Sequence, residues 1–323
     1  MNNIKKKKCL LIIPKSFYSF HNFLTEALNE LGYEVAIANE EYPENTIGKL
    51  MGKLGIPLLL TTTRRVVKRD FLIGRGYDLA LIIKGRGISN ELISDIKDVC
   101  PMIVGYNFDS FGYHNAPLKW YKNVDRYCTF DYKDADKYSL PIVELFSSLS
   151  KELGEKEISY TISAIVRNHS NRLKFIDDIF KVIDVEKRFI YIYEQNLFTF
   201  CINFINSPIL YLKYAKYISF KSLNYQEYIR VLHGSNFTID YAHPKQSGMT
   251  MRCLEALSTQ TKVISNNPFL MRNSNFSERN AIIFNETKSN SDIKKQFDQI
   301  FSITPDKAHR KMSNFIKDLL NNN

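Results

Sequence analysis

The sequence predicts an α/β protein built from two parallel-sheet domains, and three observations carry that expectation. At 323 residues the chain is too long for one ordinary domain and suits two of about 150 residues each. Short apolar runs, among them Cys9–Ile13, Asp78–Lys84, Met102–Tyr106, Phe237–Asp240 and Lys262–Ser265, alternate with stretches of helical periodicity, which is the pattern of β-α-β units. Several of these runs empty into polar or charged turns, as strands do at the carboxyl edge of a parallel sheet, where ligands bind.

Composition narrows the class. A hydrophobic content of 44% can fill two cores, and 24% charged residues with only 13 glycines and 10 prolines argue against long disordered tracts. The five cysteines are scattered with no C-x-x-C pair, which fits buried thiols in a reducing cytoplasm. The opening MNNIKKKKCLLIIPKSF imitates a signal peptide, but its apolar run stops at Pro14 and has no small-residue cleavage site. It reads as a first buried strand. No stretch approaches the roughly 18 to 20 apolar residues of a membrane span, so any membrane contact is expected to be peripheral. The formal charge of +10 calls for an anionic partner, a membrane surface, a nucleotide sugar or a nucleic acid. Residues 1–150 carry 20 basic and 17 acidic side chains and residues 151–323 carry 24 and 17. The surplus is spread, and no helix-turn-helix, zinc or RNA-binding signature accompanies it, so nucleic acid is not expected.

In the first half, strand Cys9–Ile13, helix His21–Leu31 ended by Gly32, and strand Glu34–Ala38 make a β-α-β opening. The loop Pro14–Phe20 between them has no G-x-G-x-x-G, which argues against a dinucleotide dehydrogenase. Its Lys15, and His21 beyond it, read either as functional or as a solvated lysine and a surface histidine. A helix Thr46–Leu54 precedes the segment Leu58–Arg75, where Arg64, Arg65, Lys68 and Arg69 stand among leucines and valines. That basic amphipathic segment suits an anionic membrane or an anionic acceptor, or else is a solvated face. Ser89 caps a helix to about Val99, and Met102–Tyr106 empties into NFDSFGYHN, with Asp109 and His114. Arg126–Phe130, a helix Lys133–Tyr138 and Ile142–Leu145 close the first domain, with a linker between Phe146 and Glu157.

The second half begins with strand Ser159–Ile165, the loop VRNHSNR carrying Arg167 and Arg172, and a helix Leu173–Ile183. Strand Arg188–Tyr193, helix Leu197–Ile205, an aromatic segment Tyr211–Ser219 of no assigned structure, and helix Tyr225–Gly234 lead to the most informative stretch, Thr238–Asn267. There a strand ends at Asp240, a polar turn carries Lys245, Gln246, Ser247 and Gly248, and Thr250 opens a helix with Arg252 and Glu255 on one face. A glycine at a helix N-terminus suits phosphate, an arginine suits a diphosphate, and a glutamate suits paired ribose hydroxyls. The macrodipole alone also favours a carboxylate early in a helix. Strand Ala281–Phe284 and helices Ser291–Ser302 and Pro305–Leu320 finish the chain, the last of which can cross back to the first domain.

QSGMTMRCLEAL followed by TKVISNN resembles the donor-binding segment of glycosyltransferases with two Rossmann-like parallel-sheet domains facing a cleft, the GT-B arrangement. Upstream, YCTFDYKDADKYSLPIVELF and YTISAIVRNHSNRLKF resemble bacterial lipopolysaccharide-core and capsule glycosyltransferases, the core rhamnosyltransferase of enteric bacteria among them. The likeness runs from about Ile4 to Asn267. It implies an acceptor domain over residues 1–150 and a nucleotide-sugar donor domain over 151–323. It also implies Glu255 on ribose, Arg252 with Arg167 or Arg172 on diphosphate, and Gln246 to Thr250 near the sugar. An aromatic-Asp-Ser segment in the family makes Asp109 the candidate general base, against a loop-capping reading. Two departures stand out. Better-known retaining members carry a glutamate eight positions before Glu255, where this chain has Ser247, and a glycine usually opens the loop VRNHSNR, where this chain has Ala164–Val166 in its place. The acidic pair Asp134 and Asp136 falls on an expected helix, so cationic side chains rather than a metal are expected to hold the diphosphate. The implied partners are a nucleotide sugar, a lipid-linked glycan acceptor and the anionic inner face of the cytoplasmic membrane. The losses also leave open a non-catalytic nucleotide-binding scaffold of a surface-glycan assembly complex.

Overall fold

The structure, a computed structural model, describes residues 6–15, 20–149, 153–285 and 287–321. It divides into two compact units, one of Met1–Phe146, Lys245–Gly248 and Lys311–Asn323, the other of Ser147–Pro244 and Met249–Arg310. The first contains β1 (Lys7–Ile12), α1 (Phe20–Glu30), β2 (Tyr33–Ala38), α2 (Thr46–Leu54), α3 (Leu58–Val67), β3 (Leu79–Ile83), α4 (Asn90–Lys97), β4 (Ile103–Asn107), β5 (Arg126–Thr129) and α5 (Tyr132–Tyr138). The second contains β6 (Tyr160–Arg167), α6 (Arg172–Val182), β7 (Arg188–Tyr193), α7 (Leu197–Asn206), α8 (Pro208–Tyr214), β8 (Ile218–Ser219), α9 (Tyr225–His233), β9 (Ser235–Asp240), α10 (Met251–Ser258), β10 (Lys262–Ser265), β11 (Ala281–Ile283) and α11 (Asn290–Ile300). The last helix, α12 (Met312–Leu320), belongs to the first unit.

The first sheet runs β2-β1-β3-β4-β5 and the second β11-β10-β9-β6-β7-β8, with every pairing parallel. Both are the doubly wound α/β sheets the sequence predicts. Their central strands are apolar because helices cover both faces: all five residues of β3 and all four of β10 are buried. In the first unit Leu10, Ile12, Ile82, Leu92, Ile96 and Ile103 share one core with Trp120. In the second Ile162, Ile176, Phe237, Ile239, Ile264 and Phe297 do so. Phe315 of α12 packs edge-on to Tyr106 at 5.0 Å and stacks on Phe108 at 6.1 Å, which ties the final helix to the first sheet.

Helix ends follow their local chemistry. The Asn45 side chain accepts from the Ile47 and Gly48 N–H groups, Gly55 ends α2 in the left-handed region, and Ser89 Oγ accepts from Leu92 N–H. Three expectations need correction. Ile142–Leu145 forms no strand and keeps only a bridge from Ile142 to Thr129. The aromatic segment is α8, a 3-10 turn and the two-residue β8. The stretch 305–311 is not helical: Ala308 N–H donates to Leu257 O, and Ser258 Oγ contacts Ala308 O and His309 Nδ1, so α10 supplies partners that a helix would have made internally. The loop Pro14–Phe20 and the linker Phe146–Glu157 lie partly outside the described residues. No described helix is long and apolar enough to cross a membrane.

Candidate functional site

At the carboxyl edge of the second sheet, Arg167 ends β6, Arg172 opens α6 four residues after the turn begins, and Arg252 lies in the first turn of α10 beyond β9. The Arg172 Nη1 donates to the Arg167 carbonyl at 3.2 Å, and Arg167 itself donates to the Gln195 side chain. Arg252 Nη1 donates to Ile239 O at 3.3 Å and stands 3.8 Å from Asp240 Oδ1. The Nε atoms of both Arg172 and Arg252 are buried with no hydrogen-bond partner among the described residues. Asp240, itself buried, is already shared among Thr250 Oγ1 at 2.8 Å, Cys253 Sγ and Ser265 Oγ. Thr250 thus stands at the cap position of α10, but its hydroxyl donates to Asp240 and does not cap the helix.

The electrostatics record the crowding. Desolvation, then Arg252, then Arg167 pull the Arg172 guanidinium down to about 10, against the opposing pull of Asp240. His169 is pushed down to about 4, by desolvation first and then by Arg172, Arg167 and His243. Three guanidiniums and two imidazoles gather here, opposed by the carboxylates of Asp240 and, beside Arg252, Glu255. A desolvated Arg172 guanidinium repelled by Arg252 and Arg167 is eased by an anion carrying two or more charges, which the group can accept. The turn that presents it bends at Ser170, whose φ of 57° places a non-glycine residue in the left-handed region. The residues Ala164–Val166, where a glycine was looked for, are still in β6. Behind the turn, buried Glu194 accepts from Asn168 Nδ2 at 2.8 Å, from Asn203 and from the Tyr211 hydroxyl. Sequence reading missed this network, because its members are spread over 168–211 and none belongs to a motif.

Glu255 is 5% exposed. Burial pushes its carboxyl up to about 7, against hydrogen bonds from the Tyr228 and Tyr225 hydroxyls and the nearby Arg252. It faces the same side of α10 as Arg252, as the spacing predicts, but the two tyrosines were not foreseen. A ligand hydroxyl pair would share or displace them.

The segment 245–248 belongs to the first unit. Asp131 accepts from Ser247 N–H at 2.5 Å, Ser247 Oγ at 2.7 Å and Gly248 N–H at 3.2 Å, while Lys245 O accepts from Ser110 Oγ at 2.6 Å. The expectation that these N–H groups face a phosphate is corrected here: a carboxylate already takes them. Gly248 is required by packing, since a Cβ on it would lie 2.3 Å from the Phe130 ring and 2.5 Å from the Phe130 carbonyl oxygen. Gln246 Nε2 donates to Asp109 Oδ1 at 3.2 Å.

Asp109 follows β4 and is held 2.9 Å from Lys84 Nζ, which follows β3 in a left-handed turn (φ 65°). Arg86, two residues on, donates its N–H to Glu40 at 3.0 Å and its guanidinium to Glu41 at 3.2 Å. Burial pushes Glu40 up to about 7, with Glu41 adding to it and Arg86 and Lys84 opposing. His114 is pushed down to about 4 by burial, Arg86 and Lys84, and its Nε2 is buried with no hydrogen-bond partner among the described residues. Arg86, Tyr113, His114 and Lys119 line a cavity of about 440 Å³ with Leu59 and Ile88. The sequence pointed to Asp109 and His114 and missed Lys84, Arg86, Glu40 and Glu41. The available signal was K-G-R-G directly after a fully apolar strand.

The basic stretch of α3 is less open than expected. Arg64 and Lys68 both grip Asp95, at 2.6 and 2.7 Å, and Arg69 pairs with Asp70 at 2.5 Å, while Arg65 is exposed. Asp134 and Asp136 lie on α5 as predicted, with Asp134 accepting from Phe111 N–H at 2.6 Å.

No protein-family model matches the sequence, and no curated protein does. Among solved structures, the chain is similar to the lipopolysaccharide outer core galactosyltransferase WaaB in its apo form, with 11% identity over 97% of this chain and 95% of that one and a TM-score of 0.56. Anabaena HepE in complex with UDP-glucose matches with 9% identity over 97% and 94% and a TM-score of 0.56. A Methanocaldococcus jannaschii UDP-GlcNAc 2-epimerase in complex with UDP-GlcNAc and UDP matches with 11% identity over 97% and 99% and a TM-score of 0.55. At these identities the likeness is one of fold, and this chain shares with those structures a two-domain fold of two parallel sheets with flanking helices.

Proposed function

We propose that this chain is a glycosyltransferase that moves a hexosyl or deoxyhexosyl unit from a nucleotide-activated donor to lipopolysaccharide core or capsule glycan at the cytoplasmic face of the membrane. The observation that carries the reading is the cluster of Arg167, Arg172 and Arg252 with two unpartnered, buried Nε atoms at the carboxyl edge of the second sheet. A diphosphate fits that cluster. The shared fold with WaaB and with HepE holding UDP-glucose supports it.

In this reading the arginines hold the donor diphosphate and stabilise the negative charge that grows on the leaving oxygen as the bond from the anomeric carbon breaks. Glu255 takes the ribose hydroxyls. The acceptor hydroxyl forms the new glycosidic bond and gives its proton to Asp109, whose carboxylate Lys84 and Gln246 orient. The guanidiniums take the place of a bridging metal, so turnover is expected to persist in chelator.

The test is release of nucleoside diphosphate from a panel of nucleotide sugars, with and without a lipopolysaccharide-core acceptor and with EDTA present. Acceptor-dependent release in EDTA supports the proposal. Interconversion of donor sugars without acceptor would make the chain an epimerase, and tight nucleotide binding with no release would make it a scaffold.

A further inference from the structure

The second unit carries an apolar surface that the sugar-transfer reading does not use. Helix α7 is apolar apart from one stripe, Thr199, Asn203 and Asn206. Phe200 and Phe204 point inward and pack against the core, with their rings 5.5 and 6.0 Å from that of buried Tyr211 on α8. The opposite stripe of α7 and the outer face of α8 are bare: Leu197, Phe198, Ile205, Ile209 and Leu212 are 68 to 80% exposed. Phe220, half exposed, joins them through a 5.7 Å ring contact with Phe200. A contiguous apolar patch left this bare marks a surface that something covers.

Charge identifies the cover. From Gln195 to Gln226 the sequence contains no Asp, Glu, Arg or His and three lysines, Lys213, Lys216 and Lys221. All three are exposed. Lys213 reaches Asp177 at 2.6 Å, but that carboxylate also serves Lys181 at 2.9 Å, so the rim stays positive. A second copy of the chain would set lysines against lysines, which disfavours a symmetric dimer through this face. At about 15 Å and 10 Å long, α7 and α8 are too short to span a bilayer but can lie flat in its interface. We infer that the α7–α8 hairpin of the second unit docks on an anionic bilayer, with Phe198, Ile205 and Ile209 below the headgroups and the lysines at their level. Docking at this face does not depend on the chain being a transferase, and its test uses no sugar.

The probe is vesicles of phosphatidylethanolamine and phosphatidylglycerol, read by co-sedimentation of the full chain. The triple variant Phe198→Ser, Ile205→Ser, Ile209→Ser is expected to lose roughly tenfold or more in partitioning while keeping its melting temperature, since these side chains are exposed. Arg64→Gln with Lys68→Gln is expected to partition like the parent. A Phe198→Trp variant is expected to shift its emission to the blue on adding vesicles, beyond any change from buried Trp120. Equal sedimentation of triple variant and parent overturns the inference, as does an unshifted Phe198→Trp. So does a parent dimer that the triple variant converts to monomer without vesicles, because a second copy is then the cover.

Discussion

At the carboxyl edge of the six-stranded sheet Arg172 is crowded by Arg252 and Arg167, with Asp240 and Glu255 as the carboxylates that oppose them, whereas at that of the five-stranded sheet Lys84 and Arg86 each have their own, in Asp109 and Glu41. Both edges are partly buried and both carry perturbed groups. Both units leave a buried guanidinium Nε without a hydrogen-bond partner among the described residues, but Arg126 stands at the amino end of β5, and only Arg172 and Arg252 stand at a carboxyl edge. Folding stability alone favours the paired arrangement, since desolvation and the neighbouring Arg252 and Arg167 disfavour the charged Arg172 more than Asp240 favours it. In the proposed reading the arginine edge receives the anionic donor, and the paired edge takes the hydroxyl-rich acceptor beside an oriented carboxylate.

The sharpest way to break this comparison is to remove the oriented carboxylate. Asp109→Asn is expected to lower kcat by about 10² to 10⁴-fold with nucleotide affinity unchanged. A loss of less than threefold assigns Asp109 to holding its loop. On the other edge, Glu255→Ala is expected to weaken nucleoside diphosphate binding about tenfold or more by calorimetry, because charge-assisted hydrogen bonds to ribose are lost. Binding within twofold of the parent would limit Glu255 to anchoring Tyr225 and Tyr228.

The two raised carboxyls sharpen the contrast through pH. Glu40 and Glu255 both hold their protons up to about 7. A raised carboxyl binds its proton more tightly folded than unfolded, so its contribution is full below about pH 4.5 and is lost as pH rises through 7, on the order of 3 kcal/mol each. Replacing either with Gln is expected to flatten that fall in denaturant titrations between pH 5 and 7.5. Nucleotide affinity separates them. Ribose needs Glu255 ionised, so affinity is expected to drop roughly tenfold per unit below pH 7, a dependence abolished by Glu255→Gln and kept by Glu40→Gln. Ser170→Gly, which relieves the left-handed turn between Arg167 and Arg172, is expected to shift stability by no more than about 1 kcal/mol, in the stabilising direction, by denaturant midpoint.

Strands were legible because an apolar run such as Leu79–Ile83 is bounded by charge and glycine, at Asp78 and at Lys84 and Gly85, and a parallel strand covered on both faces needs that composition. The stretch 305–311 was not, because its composition allows a helix and only its contacts with α10 prevent one. Arg172 and Arg252 could be marked by their places just after strands, but their unpaired state could not, since it depends on what the rest of the unit fails to supply. Conversely, the partners of Ser247 and Gly248 lie at Asp131, more than 100 positions away, and no spacing rule connects them. The exposure of α7 was hidden for the same reason: periodicity shows that a helix is apolar, not what covers it.

The central claim is that the arginine edge awaits a diphosphate, and Arg172→Gln tests it most directly. Calorimetry with UDP and thermal melting without ligand are run on the parent and this variant. The account predicts UDP affinity at least tenfold weaker in the variant, because a charge-assisted contact of about 1.5 to 3 kcal/mol is removed. It also predicts a ligand-free melting temperature equal to or above that of the parent, because the repulsion with Arg252 and Arg167 is relieved. UDP bound within twofold of the parent, together with a lower melting temperature, would show Arg172 to be a structural residue and would contradict the account.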